Sequence, residues 1–280
     1  MHLSASDLVS LHRPTLCPLR VYLRSQGVPE AEPGAFDLVL RDLGQQHERA
    51  HLATLGPYED ISLAPAEEQE QRTKEAIEKR SPVIYQGRLS GMVQLNGETA
   101  TIVGRPDFLV LHGDEYLIRD AKLSRRVDED NHPEISLQLQ LYGWLYRNAV
   151  GRSAAGLQAY TGKKDIAEVA DDGGRAALLE LGKLLELRRA TDEPYEPLGW
   201  TKCAGGCGFY ERCWSLAEAR QDVSLVMDVD QGLARKLHGE GVISARDLLA
   251  RYDAKQLSEL RRPWGKGEQK VGKKAEKVLI

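Results

Sequence analysis

The stretch GRPDFLVLHGDEYLIRDAKLS, residues 104–124, decides the fold of this chain. Two alternating apolar runs flank Gly113, which is the pattern of two antiparallel strands joined by a tight turn. Each run carries one aspartate, Asp107 at the start of the first and Asp120 near the end of the second. Because each aspartate lies six or seven residues from Gly113, antiparallel pairing predicts two carboxylates at the same level of a sheet.

The segments on either side of this hairpin predict helices packed on a mixed sheet. Residues 82–103 contain further β-type runs with a turn at Asn96-Gly97, whereas residues 1–80 have helical patterns. A helix over 133–150, a strand over 156–161 and a helix over 175–190 follow. This order is typical of an α/β domain with a mixed central sheet flanked by helices. In the helix predicted over 36–55, an apolar stripe at helical spacing is expected to face the core: Phe36, Val39, Leu40, Leu43, His47 and Ala50.

The composition excludes several classes of protein. Lysine and arginine total 38 against 42 aspartates and glutamates, a net charge of −4, so nucleic-acid binding must come from local patches. Charged and hydrophobic fractions of 29% and 41% are typical of globular chains, and no apolar run approaches the roughly 18 residues of a membrane span. His12 and Arg13 interrupt the stretch where a signal peptide needs apolar residues. A cytoplasmic globular protein without a membrane partner is therefore expected.

The paired aspartates predict a site for a divalent cation. Alternation along the second strand places Lys122 on the same face as Asp120. Two carboxylates with a nearby carbonyl and waters form the oxygen-rich site that Mg²⁺ or Mn²⁺ prefers, and a lysine there can orient an attacking water. The alternative interpretation is that both aspartates are ordinary turn or strand-edge residues and Lys122 is a surface cation.

The order P-D followed by D-x-K resembles the PD-(D/E)xK nuclease superfamily. The resemblance implies a restriction-endonuclease-like core and metal-dependent hydrolysis of phosphodiester bonds. It also implies that Asp107, Asp120 and the carbonyl of Ala121 hold Mg²⁺ or Mn²⁺, and that Lys122 orients the nucleophilic water.

Two further motifs narrow the resemblance to the RecB-like members. His47, in GQQHERAH, is similar to the metal-binding histidine that these nucleases carry upstream of the catalytic aspartate; alternatively, it is a core histidine. Gln138 and Tyr142, in SLQLQLYGWLY, match the Q-x-x-x-Y motif. As an i, i+4 pair on one helix they face the same way, and the resemblance implies that they position the substrate strand.

The four cysteines predict a metal centre. Cys203, Cys207 and Cys213 lie close together, and Cys17 is the natural fourth ligand. Four thiolates suit either Zn²⁺ or an iron-sulfur cluster. The split between one N-terminal and three later cysteines resembles the iron-sulfur RecB-like exonucleases, including the AddB nuclease domain and the CRISPR-associated RecB-like family, which implies a [4Fe-4S] cluster. Those families mostly show C-x2-C-x5-C, whereas this chain has C-x3-C-x5-C; the resemblance covers residues 1–216.

The charge changes after residue 220, which predicts a nuclease domain over 1–220 and a small all-α module over 221–280. Residues 221–280 hold 12 lysines and arginines against 9 acidic residues, whereas residues 1–220 hold 26 against 33. Helices ending at glycines suggest helix-hairpin-helix units, the second of which would contact the DNA backbone. The residues expected to make these contacts are Gly265, Gly267, Lys270, Lys273 and Lys274. A plain packing module is the alternative, and a further domain after Ile280 is expected.

Together these observations predict a metal-dependent DNA nuclease, most simply a single-stranded DNA exonuclease in repair, recombination or defence. A helicase or another repair or defence protein is the expected kind of partner. A rival hypothesis is a non-catalytic DNA-binding or assembly subunit that uses the cluster and the C-terminal hairpins for docking. A third keeps the nuclease but replaces the cluster with zinc.

Overall fold

A computed structural model describes residues 2–128, 132–227, 229–264 and 267–270. Its helices in chain order are α1 (Ala5–His12), α2 (Pro18–Ser25), α3 (Ala35–Leu52), α4 (Gln69–Glu78), α5 (Pro133–Val150), α6 (Arg175–Arg189), α7 (Trp200–Ala204), α8 (Tyr210–Arg220), α9 (Gln231–Gly239), α10 (Ala245–Arg251) and α11 (Ala254–Ser258). Its strands are β1 (His2–Ser4), β2 (Glu59–Asp60), β3 (Val83–Tyr85), β4 (Leu89–Leu95), β5 (Glu98–Gly104), β6 (Phe108–His112), β7 (Glu115–Ala121), β8 (Gly156–Tyr160), β9 (Ile166–Val169), β10 (Arg261–Trp264) and β11 (Gly267–Lys270).

The described chain divides into two compact units. One comprises Met1–His12 and Ala35–Arg188, and the other comprises Arg13–Gly34 and Arg189–Ile280. This division lies elsewhere in the chain than the boundary at residue 220 that the change of charge predicts, so that boundary stays a prediction. No helix among the described residues is both long enough and apolar enough to cross a lipid bilayer.

The first unit is a mixed α/β structure, as the order of elements predicts. Its larger sheet has the order β2-β3-β6-β7-β8-β9, in which β6 and β7 are antiparallel and β7 and β8 are parallel. A parallel pair needs a crossover, and α5 provides it. A smaller sheet has the order β1-β5-β4. The core lies between helices and sheets, and its fully buried side chains include Phe108, Leu109, Ile118, Leu139 and Tyr146.

Helix α5 has the bounds that the sequence predicts. Pro133 occupies its first turn, where a missing N–H costs nothing, and Gly151 ends it in the left-handed conformation with φ of +80°. Gly104, at the end of β5, allows the helix to lie close to the sheet. A Cβ at Gly104 would be 2.5 Å from Leu145 and 2.8 Å from Tyr142.

The apolar stripe predicted for the third helix does not face the core of the described structure. Only His51 and Leu52 are buried in α3, whereas Phe36 is 67% exposed and Leu43 is 46% exposed. The helix meets β7 through its last turns, so its N-terminal half has no sheet to cover it within the first unit. His47 lies in the half that does approach the sheet, next to Tyr160.

The C-terminal segment is helical only in part. The helices α9, α10 and α11 share one hydrophobic core, which includes Leu233, Leu237, Leu248 and Leu257. Residues 261–270 were expected to belong to a second helical hairpin, but β10 and β11 pair as antiparallel strands. Pro263 explains the difference, because proline disfavours helical geometry in the residue before it and cannot donate a helical hydrogen bond.

Candidate active site and cysteine site

The two aspartates of the central hairpin lie level with each other, and the carboxylate of each accepts a backbone hydrogen bond from the opposite side of the hairpin. The β6–β7 register pairs Phe108 with Arg119, which places Asp107 opposite Asp120. The N–H of Asp107 donates to Oδ1 of Asp120 at 3.0 Å, and the N–H of Ala121 donates to Oδ2 of Asp107 at 2.8 Å. The ammonium of Lys122 lies 2.6 Å from Oδ2 of Asp120. The hairpin therefore brings both carboxylates and the lysine into one cluster.

Burial and like charge disfavour the ionised form of Asp107 in this cluster. Burial, and then the neighbouring carboxylate of Asp120, raise the pKa of Asp107 well above its ordinary value. Burial favours the neutral amine of Lys122, yet the carboxylates of Asp120 and Asp107 raise its pKa overall. Two carboxylates this close cannot both ionise cheaply unless positive charge lies between them.

A third carboxylate, which the sequence reading missed, belongs to the same cluster. Glu48 on α3 accepts hydrogen bonds from the hydroxyl of Tyr85 and the amide of Gln86, both at 2.7 Å. The same Gln86 amide donates to Oδ1 of Asp107 at 3.0 Å. The position of Glu48, directly after His47, is the sequence feature that could have revealed it. Gln86 thus joins the helix carboxylate to the hairpin carboxylate.

His47 lies at the end of β8, beside the predicted carbonyl ligand. Its Nε2 is 3.3 Å from the carbonyl oxygen of Tyr160, and its ring stacks on that of Tyr160 with centroids 4.8 Å apart. The β7–β8 register pairs Tyr160 with Ala121. His51, one turn later, stacks on the same tyrosine at 3.7 Å and contacts Arg119. Burial, with the cations around it, lowers the pKa of His51 to about 4.

Gln138 and Tyr142 reach the same site from α5. The amide of Gln138 donates to the hydroxyl of Tyr142 at 2.8 Å. Burial, and then the carboxylates of Asp120 and Asp107, raise the pKa of Tyr142 well above its ordinary value. The carbonyl oxygen of the Gln138 side chain is buried and has no hydrogen-bond partner among the described residues. The side-chain oxygen of Gln138 is therefore available for a hydrogen bond, and Tyr142 lies close enough to both carboxylates to feel their charge.

The chemistry of this donor set suits a divalent cation. No group of three or more His, Cys, Asp or Glu side chains surrounds a common metal position within the described ranges. Instead, the ammonium of Lys122 neutralises Asp120. A hard cation would relieve the repulsion that raises the pKa of Asp107, and carboxylate and carbonyl oxygens are its preferred ligands. The residues that could hold it are Asp107, Asp120 and the carbonyl of Ala121, whereas the ring of His47 lies against Tyr160.

The four cysteines line one small apolar cavity in the second unit. Cys17 comes from the loop before α2, Cys203 from α7, Cys213 from α8, and Cys207 from the turn between these two helices. All four are free thiols. Leu19, Leu23 and Phe209 form the buried cluster against which Cys17, Cys207 and Cys213 pack. The fold therefore gathers the N-terminal cysteine and the later three, which are distant in sequence.

Burial of these thiols disfavours free thiolates, and within the described ranges no three of the four sulfurs are placed so as to hold a metal ion. Burial raises the pKa of Cys17 to about 12 and that of Cys213 to about 11, and nearby thiols add to both effects. A backbone N–H already points at one sulfur: that of Arg20 donates to Sγ of Cys17 at 3.4 Å. A bound metal ion would deprotonate such thiols outright. The donor set fits either an iron-sulfur cluster or zinc.

The predicted DNA-backbone residues of the C-terminal segment are only partly described. Gly265, Lys273 and Lys274 lie outside the described residues. Gly267 and Lys270 are in β11 and not in a turn between helices, which corrects the expectation for them. The ammonium of Lys270 pairs with the carboxylate of Glu259 at 2.7 Å, so part of its charge is already neutralised.

Comparison with known proteins identifies one matching family. A family model for the PD-(D/E)XK nuclease superfamily matches residues 2–214. Among curated proteins, none matches this chain. Among solved structures, the crystal structure of SSO0001 is similar at 16% sequence identity and a TM-score of 0.44, over 76% of this chain and 85% of that chain.

Proposed function

The chain belongs to the PD-(D/E)XK nuclease superfamily, a superfamily of metal-dependent nucleases, and we propose that it hydrolyses single-stranded DNA as an exonuclease. The observation that carries the proposal is the cluster of Asp107, just before β6, with Asp120 in β7 and Lys122 just after it, in which each aspartate accepts a backbone hydrogen bond across the hairpin. The biological role that fits this activity is repair, recombination or defence.

The proposed mechanism assigns a role to each side chain of the cluster. Asp107, Asp120, the Ala121 carbonyl and His47 would hold Mg²⁺ or Mn²⁺, which when bound polarises the phosphate and supplies an activated water. Lys122 donates hydrogen bonds, so it orients the attacking water and stabilises charge that develops on the phosphate. Gln138, whose carbonyl oxygen is unpartnered among the described residues, and Tyr142 position the strand. Glu48 holds Asp107 in place through Gln86.

The catalytic assignment is tested by substitutions on one hairpin. Asp120→Asn should reduce Mn²⁺-dependent DNA degradation by at least about 10²-fold, the cost of losing a group that stabilises the transition state. Asp114→Asn is the matched control, because this aspartate lies at the opposite end of the hairpin and its side chain is 90% exposed. Lys122→Met should leave metal binding intact and stop turnover. Wild-type activity in Asp120→Asn would overturn the assignment.

The mode of action is tested with matched substrates. An exonuclease degrades linear single-stranded DNA and leaves the circular form intact, and DNA preference appears as slower degradation of RNA of the same sequence. Cleavage of circles would replace the proposal with an endonuclease. DNA binding without cleavage of any substrate would favour the rival hypothesis, a non-catalytic binding or assembly subunit.

We also propose that Cys17, Cys203, Cys207 and Cys213 hold a structural [4Fe-4S] cluster. The shared apolar cavity and the presence of four free thiols around it support a metal centre. The split between one N-terminal cysteine and three later ones resembles that of iron-sulfur RecB-like exonucleases, and we take this resemblance to favour iron over zinc. Brown protein with broad visible absorbance and about four iron atoms per chain is the expected result for a Cys₄ site of this kind. Stoichiometric zinc in colourless protein would replace the cluster with a zinc site.

A further inference from the structure

Two loops meet at the carboxyl ends of β7 and β8, next to the central hairpin. The first, residues 122–126, follows β7, and the second, residues 161–165, connects β8 to β9. The N–H of Lys122 donates to the carbonyl of Tyr160 at 2.8 Å, and the N–H of Gly162 donates to the carbonyl of Ser124 at 3.0 Å. The parallel ladder of β7 and β8 therefore continues into these loops, directly beyond Asp120 and Lys122.

Hydrogen bonds within the second loop and its close approach to the first loop define its conformation. Thr161 donates to Asp165 through its hydroxyl, and its N–H donates to the Asp165 carbonyl at 2.9 Å. Gly162 lies so close to the first loop that a Cβ there would be 2.2 Å from the carbonyl oxygen of Leu123. Lys164 adopts the left-handed conformation with φ of +64°, which is uncommon for a lysine. Such a backbone conformation persists only where the surrounding structure holds it in place.

These loops carry four exposed cations: Arg125, Arg126, Lys163 and Lys164. In the part of the chain that the structure describes, no carboxylate forms an ion pair with any of them. The nearest acidic side chain of the second loop, Asp165, is already bonded to Thr161. The sequence reading singled out none of the four. We call them the basic rim.

We propose that the basic rim binds the backbone phosphates that flank the scissile bond of a nucleic-acid strand. The inference rests on the proposed nuclease function and adds a substrate-binding surface to it. Lysines and arginines on exposed turns recognise phosphate charge and not base edges, so the contact is independent of sequence. The basic rim also supplies local attraction that a chain of net charge −4 lacks as a whole.

The test measures how binding depends on salt. Labelled oligo-dT is titrated with the full-length protein in EDTA, and log Kobs is plotted against log[KCl]. One variant is Lys163→Gln/Lys164→Asn, because asparagine tolerates the left-handed conformation. The second variant, Arg125→Gln/Arg126→Gln, leaves that turn unchanged. The control Lys79→Gln/Lys183→Gln removes two exposed lysines of the same unit. Lys79 directly follows the last residue of α4, and Lys183 is on α6.

Each neutralised phosphate contributes about 0.7 to the slope on single strands, so each rim variant should reduce the slope by roughly 1.4. The control should keep the wild-type slope, and oligo-dA should behave like oligo-dT. Wild-type slopes in both rim variants of an active nuclease would overturn the basic rim and leave the proposed function standing. Wild-type protein that neither binds nor cleaves single-stranded DNA or RNA would overturn both. If the Lys163→Gln/Lys164→Asn variant has a lower Tm than wild type, the slope of the Arg125→Gln/Arg126→Gln variant alone is used to test the basic rim.

Discussion

Asp107 is a buried carboxyl group whose charged form is disfavoured by its surroundings. Its carboxylate faces Asp120 and, through Gln86, Glu48. Lys122 offsets only part of this negative charge, since burial and Asp120 still raise the pKa of Asp107 well above its ordinary value. A protein that keeps such a cluster gains from a cation that neutralises it.

The raised pKa of Asp107 has a definite consequence for stability. The folded protein binds a proton at Asp107 more tightly than the unfolded chain does, because aspartates of an unfolded chain have a pKa of about 3.9. Stability from this group is therefore present below that pH and is lost as pH rises toward the raised pKa. In EDTA, Asp107→Asn should melt higher than wild type at neutral pH, and its Tm should depend less on pH between about 4 and 8.

Added Mg²⁺ provides the second arm of this measurement. Because a ligand stabilises the state that binds it, Mg²⁺ should raise the Tm of wild-type protein and leave that of Asp107→Asn unchanged. Parallel Tm curves for the two proteins, with and without Mg²⁺, would remove Asp107 from the metal site.

At the scale of elements, the contact between α5 and the end of β5 determines how closely Tyr142 approaches the carboxylates. Tyr142 and Gln138 lie near the carboxylates only because α5 approaches β5 at Gly104. A Cβ at that position would require the side chains of Leu145 and Tyr142 to shift. The packing of one glycine thus determines where two of the proposed substrate-positioning side chains lie.

A Cβ at Gly104 tests this dependence. Gly104→Ala should lower stability by about 1–3 kcal/mol, the usual cost of overpacking, and should also reduce activity because Tyr142 is displaced. Gly44→Ala is the control: it lies in α3, has open space around the added methyl, and should be neutral or stabilising by roughly 0.5–1 kcal/mol. Unfolding curves in urea and single-turnover rates measure both effects, and equal behaviour of the two variants would refute the packing argument.

At the scale of the whole molecule, the second unit is assembled from two distant parts of the chain. Cys17 and the later cysteines meet at one cavity, and Gln231 connects the same parts. The hydroxyl of Thr15 donates to the Gln231 side chain at 3.1 Å, and the Gln231 amide donates to the carbonyl of Pro197 at 3.0 Å. The proposed metal centre would close a very long loop here, so its contribution to stability would be large.

Removal of one cysteine ligand should therefore affect the whole second unit. Cys207→Ser should give colourless, poorly soluble protein that lacks the metal, and its Tm should fall by roughly 2–4 °C for each kcal/mol of stability removed. Iron and zinc analysis with calorimetry measures both changes. Full metal content and an unchanged Tm in Cys207→Ser or Cys17→Ser would exclude a shared centre.

The lysine-rich end of the chain makes a separate prediction. Truncation after Lys270 removes three of its lysines and keeps Leu257, which is fully buried in the core of α9, α10 and α11. If the tail binds phosphates, the salt slope on single-stranded DNA should fall by about 0.7 for each phosphate that the tail neutralises, with catalysis unchanged. An unchanged slope would leave α9–α11 as a packing module and the basic rim as the main phosphate-binding surface.

The sequence by itself determined the central hairpin, the level pairing of Asp107 with Asp120, and the bounds of α5. These features depend on local alternation, turn residues and helix ends, which act between residues close in the chain. Only the tertiary structure brought Glu48 to Asp107, joined the two loops of the basic rim and left the apolar half of α3 exposed. Contacts between distant segments depend on how elements pack, which local periodicity does not encode. The strands at Arg261–Trp264 and Gly267–Lys270 differ from the predicted helical hairpin for a local reason instead, because Pro263 disfavours helical geometry in the residue before it.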